Sequence, residues 1–156
     1  MERTAEWSEA EVLEIVGRHA HREGPLLPIL HEVQETFAHV PRGALPVIAK
    51  ALNLSRAEVW GVVTFYHDFR HDPAGRHVLK LCRAEACQSV GCEALVARAE
   101  ARLGTACGAT SPEGVTLEAV YCLGLCATGP SAMVDGQVVG RLDPARLDRM
   151  IDGLLA

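Results

Sequence analysis

The chain has 156 residues, 49% apolar and 22% charged, with a formal net charge of −5; this suits a globular protein of one domain or two small lobes. Residues 1–75 carry 7 Lys/Arg against 11 Asp/Glu, and residues 76–156 carry 8 against 9, so no basic face invites nucleic acid. The opening "MERTAEWSEAEVLE" is acidic and lacks an apolar run, and no stretch approaches about 18 consecutive apolar residues, so neither a signal peptide nor membrane insertion is expected. A reducing, cytoplasmic compartment is expected, where six cysteines are better read as ligands or catalysts than as disulfides.

The first half reads as helices. Ser8 with Glu11 forms a capping-box pattern before Val12, Ile15 and Val16. After the break "REGPLLP", Leu26, Leu30, Val33 and Phe37 make a second apolar stripe that "HVPRG" ends. Leu45, Ile48 and Leu52 give a short third helix closed by Asn53. Ser55 with Glu58 is a second capping box, opening the run "AEVWGVVTFYHDF". Such short helices need tertiary packing to persist.

The period then changes. "HDPAGR" is a turn and "HVLKLC" a strand ending at Cys82. Leu95, Val96, Ala99 and Leu103 form a helix stripe running to Gly104, "GTACGATSPEG" is a loop, and "VTLEAVYC" is a strand ending at Cys122. "SAMVDGQVVGRL" is a hairpin turning at Asp135-Gly136, and Asp143 caps a last helix with Pro144 at its first position and Leu147, Met150, Ile151 and Leu154 on one face. The expected architecture is α+β: a helical bundle over residues 1–72, then an α/β domain of order β-α-β-β-β-α over 73–156.

A strand–helix–strand unit is almost always right-handed with parallel strands, and its strand-end loops open at the same sheet edge, where open α/β sheets place their sites. That rule brings together the loop of Cys82 and Cys87 and the loop of Cys122 and Cys126. Cys107 should lie at the opposite edge, roughly 17–20 Å away, too far for a metal–sulfur bond of about 2.3 Å. Cys92 remains as a third thiol of the first loop. A C-x4-C pair with a C-x3-C pair favours a [2Fe–2S] cluster, whose normal ligation is four thiolates, and leaves a four-thiolate zinc site open. A thioredoxin-type catalyst would need C-x-x-C, which the chain lacks.

These residues resemble the thioredoxin-like [2Fe–2S] ferredoxin family. That family includes the 24-kDa-type subunit of respiratory complex I and relatives in NAD-linked hydrogenases and formate dehydrogenases. "PRGALPVIAKALNLSRAEVWGVVTFYHDF" resembles its helical lead-in, "PAGRHVLKLC" the entry to its first ligand, and "CLGLCATGPSAMVDG" its second pair and hairpin. The resemblance implies a thioredoxin-like α/β domain and cluster ligation by Cys82, Cys87, Cys122 and Cys126. It also implies a cis peptide before Pro130. Complex I members usually have a Thr-x-Pro stretch inside the first pair, where this chain has Arg83-Ala84-Glu85-Ala86. "CRAEACQS" is most similar to the gamma subunit of soluble, molybdenum-dependent, NAD-linked formate dehydrogenases.

A chain of that kind is a non-catalytic electron-transfer subunit. Its implied partners are an FMN- and NAD-binding flavoprotein subunit and a molybdenum-containing large subunit, and the complex I and hydrogenase equivalents are the alternative. No G-x-G-x-x-G follows a strand and no Walker loop is present, so the remaining chemistry falls to partner chains. Arg83 is expected either to offset the cluster's negative charge or simply to be solvated. Gly124 and Gly129 permit close backbone approach to sulfur. Trp60, Phe65, Tyr66 and Phe69 read as core packing between the two halves, and His67, His71 and His77 as capping or solvated side chains.

Overall fold

The computed structural model describes residues 7–156, and the chain divides after Pro73 into two compact units. No helix among the described residues is long and apolar enough to cross a membrane.

The first unit contains α1 (Glu9–His19), α2 (Leu26–Phe37), α3 (Ala44–Ala51) and α4 (Arg56–Phe65). Their apolar stripes meet in one core in which Val12, Leu30, Phe37, Ile48 and Val59 are fully buried. The α4 capping box is reciprocal: Ser55 Oγ accepts the Glu58 N–H at 3.2 Å and Glu58 Oε2 accepts the Ser55 N–H at 2.8 Å. At α1 only half of the expected box forms. Ser8 Oγ accepts the Glu11 N–H, but the Glu11 carboxylate takes the Ser8 hydroxyl rather than its backbone N–H.

Helix α4 stops at Phe65, although its sequence pattern runs on to Phe69. Gln34 explains the stop. Its Nε2 donates to Asp68 O at 2.7 Å and its Oε1 accepts the Arg70 N–H at 2.6 Å, while the Val40 N–H donates to Arg70 O at 2.8 Å. The backbone of 68–70 is thereby hydrogen-bonded to α2 and its exit rather than to another helical turn. The aromatic expectation is also corrected. Phe69 is buried, but Trp60, Phe65 and Tyr66 are 39%, 72% and 43% exposed. His71 stacks on Trp60 at 5.1 Å, and the Arg42 guanidinium lies 5.8 Å from its ring centre.

The second unit contains β1 (His77–Cys82), α5 (Glu85–Ser89), α6 (Cys92–Leu103), β2 (Ala109–Thr110), β3 (Val115–Val120), β4 (Ala132–Val134), β5 (Gln137–Val139) and α7 (Pro144–Leu155). The sheet order is β2-β3-β1-β4-β5. β1 and β3 are parallel with Cys82 opposite Val120, and the other pairings are antiparallel. This is the expected α+β, thioredoxin-like order, enlarged by α5 and β2. Leu79, Leu117, Leu147 and Ile151 are fully buried where α6 and α7 cover the sheet. Arg98 forks onto Asp148 at 2.8 and 2.6 Å, tying α6 to α7. The β4–β5 turn has positive φ at Asp135 (47°) and Gly136 (86°), as its type requires.

Two local differences bear on the site. β3 ends at Val120 rather than Cys122, because Cys122 adopts φ +83°, outside any strand conformation. Cys107 does not lie at the opposite edge of the sheet. β2 runs antiparallel to β3, so the chain turns back along it, and the Gly108 N–H donates to Leu117 O at 2.7 Å. By that register Cys107, two residues before Ala109, falls past Leu117 toward the carboxyl end of β3.

Candidate metal centre

Cys82 is the last residue of β1 and is 2% exposed. Its N–H donates to Ser131 O at 3.0 Å, and the next N–H, of Arg83, donates to Val120 O at 2.9 Å. The strand end is thus held from both neighbouring chains. Cys87 sits on α5, also 2% exposed, its N–H bonded to Ala84 O at 2.9 Å.

Cys122 and Cys126 make a second pair, exposed, with their sulfurs 3.6 Å apart. Gly124 adopts φ +75°, a conformation glycine reaches without strain, and its N–H donates to Cys122 Sγ at 3.4 Å. Cys126 begins a 3₁₀ turn over Cys126–Thr128 that leads through Gly129 to a cis Gly129–Pro130 peptide.

The two loops do meet. The Cys122 backbone N–H is among the groups that lower the Cys82 pKa. A Cβ at Gly129 would touch Cys87 Sγ at 3.4 Å and Cys126 O at 3.6 Å, so this position has both loops as neighbours. The cause is the topology: β1 and β3 are adjacent and parallel, and both loops leave at their carboxyl ends.

The thiols titrate in opposite directions. Burial opposes ionisation of Cys82, but hydrogen bonds from the Ala84 and Cys122 N–H groups, and from Cys87 and Ser131, outweigh it and bring its pKa below the ordinary thiol value. Cys126 is pushed up, first by its hydrogen bond with Cys122, then by the charge of Cys122, by burial and by Cys87. Ionisation is thus eased at Cys82 and opposed at Cys126, and a cationic group bound among them would favour thiolates at both.

This donor set fits an iron–sulfur group. All four side chains are thiols, and amide N–H groups already point at two of the sulfurs. Cys122 and Cys126 stand as one close pair, and Cys82 and Cys87 lie together in a small buried cluster beside them.

Cys92 opens α6 and is buried beside Cys82 and Cys87. Its Sγ donates to Glu93 Oε1 at 3.9 Å, and its pKa is raised, chiefly by burial and then by Glu93. Cys107 is half-buried with a raised pKa, again chiefly from burial, and its N–H donates to Glu100 Oε1. Arg83 forks onto Glu93 at 2.9 and 2.7 Å, so its charge is shared with a carboxylate. His77 pairs with Asp135 at 2.7 Å. Sequence reasoning missed α5, which has five residues and no side-chain cap, and it missed Ser131, which has no spacing signature.

The profile of the family described as thioredoxin-like [2Fe–2S] ferredoxin matches residues 12–155. The chain belongs to that family. Its members bind a [2Fe–2S] cluster. The chain is 35% identical over 147 residues to an E-type NADH-quinone oxidoreductase subunit of Rhizobium meliloti (strain 1021), covering 94% of this chain and 88% of the relative. It is 28% identical over 142 residues to the NADP-reducing hydrogenase subunit HndA of Solidesulfovibrio fructosivorans, covering 90% and 83%. Among solved structures it is similar to a chain of an NAD+-reducing [NiFe]-hydrogenase in the air-oxidised state, at a TM-score of 0.71 and 25% identity. That alignment covers 83% of this chain but only 22% of the hydrogenase chain, so this protein corresponds to about a fifth of it.

Proposed function

We propose that this chain is the [2Fe–2S] electron-transfer subunit of an oxidoreductase complex of the complex I or NAD-reducing hydrogenase type, with Cys82, Cys87, Cys122 and Cys126 as ligands. The observation that carries it is the meeting of two thiol pairs at the carboxyl ends of adjacent parallel strands, in a chain matching the family over nearly its whole length. When bound, such a cluster supplies a one-electron couple. Residues 73–156 hold it. Cys82 and Cys87 anchor one side in buried structure, while the exposed Cys122 and Cys126 face the direction from which an electron partner arrives. That partner is a flavoprotein subunit. Tyr121 and Val90, 71% and 54% exposed, flank the opening and offer apolar area for contact.

A second reading rests on "CRAEACQS": the gamma subunit of a molybdenum-dependent, NAD-linked formate dehydrogenase. It differs in the fuel and the large subunit, not in what this chain does. The relatives named above favour the complex I and hydrogenase type.

Iron, zinc and acid-labile sulfide on anaerobically purified protein test the proposal, together with EPR after dithionite reduction. The expectation is two irons and two sulfides per chain and a rhombic signal. Serine substitution of any one of the four cysteines should abolish that signal or alter its shape, and Cys107→Ser should leave it unchanged. One zinc without sulfide would overturn the reading in favour of a zinc-stapled interaction module. Identifying the large subunit that co-purifies separates the two fuels.

A further inference from the structure

One buried hydroxyl touches the first thiol pair. Ser131 immediately precedes β4 and is 2% exposed. Its carbonyl accepts the Cys82 N–H at 3.0 Å, which fixes its backbone against the last residue of β1. From there its Oγ lies 3.6 Å from Cys87 Sγ, and it is among the groups that lower the Cys82 pKa.

A buried hydroxyl needs a partner, and among the described residues the partners shown for this one are sulfurs. Once Cys82 and Cys87 are thiolates they can only accept, so the Ser131 proton must point at sulfur. The other donors to these sulfurs are backbone N–H groups, which no side-chain substitution removes. Ser131 is the exception.

We propose that Ser131 is a positioning residue that holds the buried Cys82–Cys87 pair and raises the reduction potential of the cluster those sulfurs carry. This rests on the ligand assignment above. A reduced cluster carries one more negative charge, part of it on sulfur. A hydrogen bond to sulfur therefore favours the reduced form more than the oxidised one.

The test is a redox titration, followed by EPR and visible absorption, of the full chain and of Ser131→Ala, with iron and sulfide counted first. The expected result is wild-type cluster content with the midpoint moved negative. At a fixed solution potential the reduced-to-oxidised ratio should fall about three- to tenfold; tenfold corresponds to about 59 mV for one electron. Ser131→Thr keeps the hydroxyl and should return to the wild-type midpoint. Ser89→Ala is the control: its hydroxyl donates to Ala86 O at 2.8 Å rather than to sulfur, and its midpoint should not move.

A loaded Ser131→Ala with an unmoved midpoint overturns the proposal, as does an equal shift in Ser89→Ala. If Ser131→Ala does not load, Ser131→Gly takes its place in the titration. Failure of both to load while Ser131→Thr loads supports the hold on the pair; failure of all three overturns it. A wild-type chain without iron and sulfide overturns the ligand assignment itself, a different outcome from a loaded chain indifferent to Ser131.

Discussion

The strand that delivers Cys82 is set at its other end by a glycine. Gly75 lies two residues before β1, and its N–H donates to Thr116 Oγ1 at 2.7 Å. A Cβ there would sit 2.2 Å from Gly114 O, 2.6 Å from Gly114 C and 3.0 Å from Thr110 Cγ2. The nearest of these is backbone, so no side chain can swing aside. Real Cβ atoms essentially never come within 3.0 Å of such a neighbour, which leaves at least 0.8 Å of main-chain movement for Gly75→Ala. The oxygen that must move also accepts the His77 N–H at 3.2 Å, beside the first rung of the β1–β3 ladder. Overpacking of this kind costs about 1–3 kcal/mol, and weakening the hydrogen bonds of Gly75 and His77 adds about 1 kcal/mol. The total of roughly 2–4 kcal/mol is a large part of a typical domain stability of about 5–15 kcal/mol.

Urea unfolding followed by far-UV circular dichroism measures this, with Gly153→Ala in α7 as the counterpart. Gly153 has nothing within 4 Å of its missing Cβ and lies within a helix, so alanine there should stabilise by about 0.5–1 kcal/mol. A loss under about 0.5 kcal/mol for Gly75→Ala would refute the reasoning, because it would mean that the approach of residue 75 to the β2–β3 turn relaxes freely.

Gln34→Ala removes both side-chain bonds to the 68–70 backbone and should cost about 1–3 kcal/mol in unfolding free energy, with hydrogen exchange fastest at Arg70. Arg98 and then Arg102 hold the Asp148 carboxyl at about 2, down from 3.8, after a partial offset from burial. Its contribution to stability is therefore complete above pH of about 4 and is lost as pH falls toward 2. Urea midpoints across that window should decline less steeply in Asp148→Asn than in the parent chain. Cys92→Ala should keep two irons and two sulfides while losing about 1 kcal/mol of stability, since its thiol is buried packing beside the pairs; loss of iron would make Cys92 a ligand.

Much of this fold is visible in residue spacing. The stripes of α1, α2 and α7 are set by apolar residues at helical period, and Asp135-Gly136 and Asp143-Pro144 each name their local structure. The meeting of the two cysteine loops follows from one topological rule applied to two strands. The features that escaped depend on long-range partners. Helix α4 ends where Gln34, 34 residues from Asp68, captures the following backbone. The antiparallel β2 is two residues long, below any periodic signal, yet it decides where Cys107 lies. Trp60, Phe65 and Tyr66 read as core by composition, but exposure depends on which side of α4 is covered, and the helix is apolar on more than one side.

The second unit separates its main hydrophobic core from its cysteine loops. Leu79, Leu81, Leu117, Leu147 and Ile151 belong to a core between the sheet and its helices, whereas Cys82, Cys87 and Cys92 form a distinct small cluster with Ala84, Val120 and Leu123 at the strand ends. The thiols are therefore not what the hydrophobic core is built on. Cys82 nevertheless inherits the precision of that core, because it is the last residue of a strand hydrogen-bonded on both sides. Cys122 and Cys126 inherit little of it and stand exposed on a loop shaped by Gly124 and a 3₁₀ turn. A redox group held by all four thiols would have one fixed side and one open side. That is the asymmetry a subunit needs if its electrons must leave through contact with another protein.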